Sequence, residues 1–506
     1  MCVSPRTILA GSLLGLSAFL AVSAQAAVRR EVNMGYIESL AERMSRTPYN
    51  PNADKVPDFL TQLDYDVYRD IRFNPLKALW SDENLPFRVD FFHPGHIFNM
   101  GVHVNEFTQT HEQEIPFNSG FFDYGRNKTL AEKIPTSLGY AGLRVRYQLN
   151  RVGVWDEVAV FLGASYFRAV GRGQVYGLSA RALAIDTGLG SPEEFPRFRE
   201  FWLGKPLPGA TSLTIYGLLD SVSVTGAYKF VITPGECTRM DVDATLYFRS
   251  AVQRLGLTPF SSMFAWGENS MQKPVDYRPE VHDSDGLFLH KSNDELVWNP
   301  LLNPSTTRLC AYPADLPKGY GLMQRDRDFE HYQDMEAAYN LRPSVWVKPI
   351  SMPRGKVTLF EFHTKDETND NVVLFYEPET APELRVPYRY SYSLFFCGQK
   401  PPSDTGTVVA TRIGTQFYNP GVYEVIVDFG GKTLEDLPEV EPLKADVTVT
   451  GDGMLENTTL VKNRFNNTWR LVLYIRPTGP APIDMSARLV DNGRTVTETW
   501  SYQWVR

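Results

Sequence analysis

The pattern of apolar and polar positions changes texture three times along the chain. A mostly apolar stretch, residues 8–22, follows Arg6 and ends at Ala24-Gln25-Ala26. This small-x-small sequence is the pattern a signal peptidase cleaves, so residues 1–26 are predicted to be an export signal and the mature chain to begin near Ala27. The stretch contains Gly11, Ser12, Gly15 and Ser17 and falls short of the roughly 20 strongly apolar residues of a membrane span. Arg29 and Arg30 follow it and do not precede it, which points to general secretory export. Ile37, Leu40, Ala41 and Met44 then recur at helical spacing before Pro48 and Pro51, predicting a short amphipathic helix. A second short helix is predicted from Pro57, carrying Phe59, Leu60 and Leu63.

From about Phe87 the chain becomes short runs of Val, Ile, Tyr, Phe and Thr, cut by Gly, Pro, Asn and Asp at intervals of roughly ten residues, as expected of antiparallel sheets. Residues 211–219, 222–233 and the alternating 240–246 are predicted to be consecutive strands of one meander. Residues 191–199, with Pro192 ahead of Glu193 and Glu194, have the chemistry of a helix start and are predicted to be a short helix. A polar, proline-containing break at residues 399–404 precedes about seven short strand candidates in roughly 100 residues, the count and spacing of an immunoglobulin-like sandwich. The expected fold is therefore mainly all-β, with a large β domain over residues 27–398 and a small one over 399–506.

Charge and cysteine content narrow the function classes. The full chain has 51 basic and 59 acidic side chains and a formal charge of −8, and losing Arg6 with the signal makes it one unit more acidic. A nucleic-acid partner would need a basic face that this balance disfavours. No later segment is long and apolar enough to span a bilayer, so a soluble protein is expected after signal cleavage. Of the four cysteines, Cys237, Cys310 and Cys397 remain in the mature chain. They allow at most one bridge and lack C-x-x-C spacing, and are read as buried or isolated thiols.

The chain has no G-x-S-x-G elbow, no phosphate-binding loop and no H-E-x-x-H, and Gly171-Arg172-Gly173 lacks the third glycine of a dinucleotide fingerprint. His93 and His96 stand three apart, but His93-Pro94-Gly95 is a turn sequence. No cofactor and no metal site is expected. Three acidic clusters lie between strand-like runs. Residues 280–286, Glu-Val-His-Asp-Ser-Asp-Gly, superficially resemble a calcium loop, but counting from Asp283 puts Phe288 and Asp294 where an EF-hand needs glycine and glutamate. Residues 325–334 alternate in sign and read as a salt-bridged loop. The third cluster, Asp366-Glu367-Thr368-Asn369-Asp370-Asn371, enters an apolar run, and its residue types are those of ordinary turns. With Asp283, however, Asp370 supplies the two carboxyls that glycosidic cleavage requires, one to protonate the leaving oxygen and one to activate water. Spacing does not establish that the two meet. Tyr166, Phe167, Trp202, Trp266, Trp298, Tyr339 and Trp346 could stack on sugar rings, although many of the 9 Trp, 25 Tyr and 30 Phe residues must form the core.

Several longer stretches resemble the osmoregulated periplasmic glucan biosynthesis proteins G and D: Phe161-Leu162-Gly163-Ala164-Ser165-Tyr166-Phe167-Arg168, Gln174-Val175-Tyr176-Gly177-Leu178-Ser179-Ala180-Arg181, Thr225-Gly226-Ala227-Tyr228-Lys229-Phe230 and Glu498-Thr499-Trp500-Ser501-Tyr502-Gln503. The general secretory signal and the form of residues 366–371 are closer to the G branch. The resemblance implies a galactose-mutarotase-like β-sandwich followed by an immunoglobulin-like β-sandwich, a periplasmic location, and carbohydrate binding to β-1,2-glucan. It also implies that the chain is a glycoside hydrolase, an anomer-inverting endo-β-1,2-glucanase, with Asp370 as general acid and Asp283 as general base. Glu367 and Tyr339 fall on family positions at the glucan cleft and are expected to bind substrate or relay protons. The alternative is a non-catalytic glucan-binding or assembly factor working with a membrane glucan glucosyltransferase. An inverting pair is expected to stand about 6.5 to 9.5 Å apart, or farther with a hydroxyl relay, and not at the roughly 5 Å of a retaining pair. The chain departs from the family pattern at Leu296, Asn299 and Leu302, where relatives commonly have Trp, Arg and Asn. If that strand lines the cleft, a stacking surface and two polar contacts are altered.

Overall fold

The computed structural model describes residues 28–398, 404–439 and 443–505. The predicted signal, and residues 399–403 of the predicted break, lie outside them.

Two large antiparallel-dominated sheets form the body of the molecule. The expected meander is present as Leu213–Asp220, Val224–Thr233 and Thr238–Phe248, paired in sequence order. Its last strand illustrates why the fold forms: Met240, Val242, Ala244 and Leu246 are buried, whereas Arg239 and Asp243 are exposed on the other face, the period-2 division of a strand that covers a core on one side. This sheet continues through Tyr388–Cys397, Ser344–Ser351, Gly319–Met323, Gly286–His290 and Leu296–Pro300. The facing sheet includes Phe87–Phe92, Gly142–Tyr147, Asp156–Leu162, Tyr166–Ala169, Ser179–Arg181, Leu255–Ser262, Val372–Pro378 and Gly355–Glu361. Aromatic side chains interlock between the sheets: Phe161 meets Phe201 and Phe230 edge-on, at 5.3 and 5.1 Å. The first predicted helix is Met34–Ser45, capped by Asn33, and its Ile37 and Ala41 pack on Trp202, Tyr216, Leu218, Ala227 and Tyr247. The segment from Pro57 makes two separate turns, Asp58–Thr61 and Tyr65–Arg69.

The C-terminal strands form a second sandwich. Thr407–Thr415, Tyr423–Gly430, Trp469–Pro477 and Gly453–Lys462 make one sheet. Val425, Val427, Leu471 and Leu473 from that sheet share a core with Met485, Leu489, Trp500 and Tyr502. The opposing strands Thr499–Trp504, Ile483–Asp491 and Lys444–Gly451 extend the large sheet of the body, because Thr499–Trp504 pairs in parallel with Leu296–Pro300. Arg325 seals the junction: it donates to both carboxylate oxygens of Glu498 at 2.9 and 2.7 Å and lies 3.4 Å over the Trp298 ring.

Two expectations are corrected. Residues 191–196 are not helical, and Arg197–Gly204 is a strand. Glu193 is taken by Arg181 and Thr187, and Glu194 by the backbone and hydroxyl of Ser223, so tertiary partners replace the helix-start role of both acids. Cys237 and Cys397 are not isolated thiols but a disulfide; only Cys310 is free among the described residues. The pair is 160 residues apart in sequence but terminates neighbouring strands, in which Thr238 faces Phe396. Leu296 and Leu302 pack against the core of the second sandwich, and buried Asn299 accepts from Arg308 at 3.1 Å, so all three departures sit at the junction between the packed units.

Candidate active site

Asp283 and Asp370 stand where strands of both sheets end. Phe264–Trp266 leaves the second sheet and pairs with Val281–His282, a two-stranded ribbon that leads to Asp283 and then into Gly286–His290 of the large sheet. The Asp283 N–H donates to Met263 O at 2.8 Å. Asp370 precedes Val372–Pro378, and its neighbour Asn371 ties that segment down. The Asn371 amide donates to Phe264 O and Phe362 O, both at 3.0 Å, while its oxygen accepts from the Phe264 N–H at 2.8 Å. Asn371 thus links the segment carrying one carboxyl to the strand whose partner carries the other.

The surroundings of the two carboxyls differ. Asp283 is 5% exposed and ion-paired with Arg342. Burial raises its pKa, the Arg342 charge opposes the rise, and the Asp370 charge adds to it. Asp370 is solvent-accessible and receives no hydrogen bond among the described residues. Protein nevertheless surrounds its carboxyl closely enough for desolvation to raise the pKa, against the charges of Arg168, Arg342 and Arg181. Asp370 is thus an accessible carboxyl that neighbouring protein partly shields from water. An acid in that setting holds its proton more readily than one in free solution.

Tyr339 and Glu367 also come together here. Buried Tyr339 donates to Glu367 Oε2 at 3.3 Å, and its ring lies 4.3 Å under the Arg342 guanidinium. Burial pushes the Tyr339 hydroxyl pKa up, so it remains a hydrogen-bond donor. Arg278 supports Glu367 from behind at 2.6 Å and also binds Asp334 and Asp276, at 2.8 and 2.9 Å. The expected ion-paired character of residues 325–334 is visible in these contacts and in His331 with Asp326 at 2.5 Å.

Sequence reasoning missed Arg342, Arg168, Asn371 and Gln324. Arg342 adjoins Pro343 at a loop position with no chemical signature. Arg168 is exposed, donates through Nε to Ser179 Oγ at 2.7 Å, and has no ion-pair partner among the described residues, although its charge acts on both carboxyls. An unpaired arginine facing two carboxyls was findable only once the strands were assembled. Conversely, Phe167, Trp202, Trp298 and Trp346 pack in cores, with Trp202 1% exposed and bonded to Glu112. The imidazole and carboxylate atoms of Glu280, His282 and Asp285 lie within 4.8 Å of one another. His93 and His96 do not cooperate: His93 binds Pro94 O and Tyr124, and His96 binds Leu63 O.

Comparison with known proteins bears on what this site serves. A family profile described as "Periplasmic glucan biosynthesis protein, MdoG" matches residues 33–504. The chain is 42% identical to glucans biosynthesis protein G of Ralstonia nicotianae over 491 residues, covering 95% of this chain and 97% of that one. It is 39% identical to the probable glucans biosynthesis protein D of Shewanella oneidensis, covering 97% and 92%, and 40% identical to protein G of Pseudomonas aeruginosa, covering 92% and 91%. Among the described residues no helix is long and apolar enough to cross a membrane. With a match running through both sandwiches and relatives aligned almost end to end, the chain belongs to the MdoG family of periplasmic glucan biosynthesis proteins.

Proposed function

We propose that this protein is an anomer-inverting endo-β-1,2-glucanase that trims the backbone of periplasmic glucans. The observation that carries this reading is the shared electrostatic neighbourhood of Asp283 and Asp370, which come from distant segments and are both acted on by Arg168 and Arg342. Asp370, with its raised pKa and free carboxyl, protonates the glycosidic oxygen as the bond to the anomeric carbon breaks. Asp283, whose charged form the Arg342 guanidinium favours against burial, takes a proton from water, whose oxygen bonds to the anomeric carbon from the opposite face. Tyr339 and Glu367 bind the sugar or pass protons beside the base. The reaction consumes one water per bond and requires no cofactor.

On this reading residues 1–26 direct export to the periplasm, 27–398 act on the glucan and 399–506 form the immunoglobulin-like unit. The nascent chain would come from a membrane glucan glucosyltransferase. A second reading is favoured by one specific contact, the direct pairing of Asp283 with Arg342. A base so engaged suits a glucan-binding or assembly factor that does not turn over its ligand.

Incubation of the mature protein with linear β-1,2-glucan, comparing wild type with Asp370→Asn, separates the two. The glucanase reading expects shorter products from wild type only, and inverted anomers in the first turnovers. Binding without cleavage by both proteins would favour the assembly factor, and cleavage unchanged in Asp370→Asn would remove Asp370 as the acid.

A further inference from the structure

His282 is 1% exposed and adjoins Asp283 in the chain. Its two ring nitrogens face acceptors on opposite sides. Nε2 is 2.9 Å from Glu280 Oε2, whereas Nδ1 is 3.1 Å from Gln324 Oε1 and 3.5 Å from Asp285 Oδ1. The orientation of Gln324 is set by its own bonds, because its amide nitrogen donates to His282 O and to Tyr339 O, both at 3.1 Å. With both amide hydrogens used, Oε1 is left for Nδ1, which must carry a hydrogen. Nε2, facing a carboxylate, carries the other.

The same arrangement argues against a divalent ion held by Glu280, His282 and Asp285. A metal needs a ring nitrogen with a free lone pair, and here the two carboxylates bracket the ring from opposite nitrogens. A buried cation between carboxylates accounts for the cluster directly.

The ring is also the common footing of both catalytic segments. Phe264 stacks on it at 5.1 Å with 13° between planes, and Phe264 is the residue that Asn371 grips beside Asp370. Gln324 ties the His282 carbonyl to that of Tyr339, in the turn Tyr339–Leu341 that leads to Arg342 and its contact with Asp283. We infer that His282 is a positioning residue for Asp283 and Asp370: a buried imidazolium, clamped by Glu280 and Gln324, that sets the relation between the two carboxyls. This role rests on the glucanase reading above.

The groups facing the ring are Glu280 on its own strand, Asp285 on the following turn, Glu268 beyond Phe264–Trp266, Gln324 after Gly319–Met323, and Tyr332 edge-on at 5.2 Å. Asp326 and Arg327 act on Asp285 or are acted on by it. Burial opposes the positive charge on His282, but the bond to Glu280 and the charges of Asp285, Glu280 and Glu268 outweigh it and hold the pKa at about 9.

Ring-nitrogen NMR of 15N-histidine-labelled protein tests the protonation state without reference to activity. Both nitrogens of His282 should be protonated at pH 7.5, with the resonance assigned by the change in Glu280→Gln. His282→Gln should lower kcat on β-1,2-glucan on the order of 10²-fold, the scale of a misplaced catalytic group, with KM unchanged. Gln324→Met, similar in volume, should do the same if His282→Gln does not fold. A neutral ring, a stoichiometric divalent ion on His282, or wild-type kcat in a folded variant would overturn the role. Absence of hydrolysis by the wild type itself would count against the glucanase reading and leave the NMR result to decide the imidazolium.

Discussion

Arg342 holds Asp283 while stacking over Tyr339, whose hydroxyl donates to Glu367. One guanidinium therefore contacts Asp283 and Tyr339 directly and reaches Glu367 through Tyr339. Its charge opposes the effect of burial on Asp283. In Arg342→Met that opposition is lost and the Asp283 pKa rises further. On the proposed assignment Asp283 is a general base that works only when ionised, so the acidic limb of kcat/KM should move to higher pH. Activity should fall more at pH 6 than at pH 8, as a full pH–rate profile would measure.

Asp370 is expected to cost stability at neutral pH. Its folded pKa lies above the ordinary carboxylate value because of desolvation. Stability from such a group is fully present below the unfolded pKa and is lost as pH rises through the folded one. Asp370→Asn removes that loss. Its Tm should exceed that of wild type at pH 7, and the difference should shrink at pH 4.

Asn371 is fully buried and its side chain makes three hydrogen bonds, two to Phe264 and one to Phe362. In Asn371→Ala, an amide and two carbonyls lose their partner inside the protein, a destabilisation of about 2–4 kcal/mol. Urea denaturation measures it. Asn371→Asp keeps the acceptor for Phe264 N–H but loses both donors, and should also be destabilised.

The Cys237–Cys397 bridge should survive purification without reductant. Under denaturing, non-reducing conditions the mature protein should expose one reactive thiol, Cys310. Cys237→Ser should lose about 2–5 kcal/mol in urea unfolding, the usual range for removing a native disulfide.

Much of the fold is legible locally. The strand Thr238–Phe248 follows from alternation, because a strand covering a core must place every second side chain inward, the two strands before it follow from runs of β-branched and aromatic residues, and Met34–Ser45 follows from helical spacing with Asn33 as its cap. The helix expected at residues 191–199 failed because Glu193 and Glu194 found tertiary partners in Arg181 and Ser223, which local chemistry cannot anticipate. The disulfide was missed for the same reason: sheet register brings together cysteines that sequence spacing separates.

By itself, then, the sequence determined the β-rich architecture and, through stretches such as residues 161–168 and 498–503, the family. It also nominated Asp283, Asp370, Glu367 and Tyr339, whose residue types and motifs are readable one at a time. Tertiary structure decided which charges act on them. Arg168 and Asn371 lie inside readable stretches but show no role there, Arg342 and Gln324 have no chemical signature, and electrostatic coupling and hydrogen bonding depend on distances of a few ångströms that only the assembled sheets create.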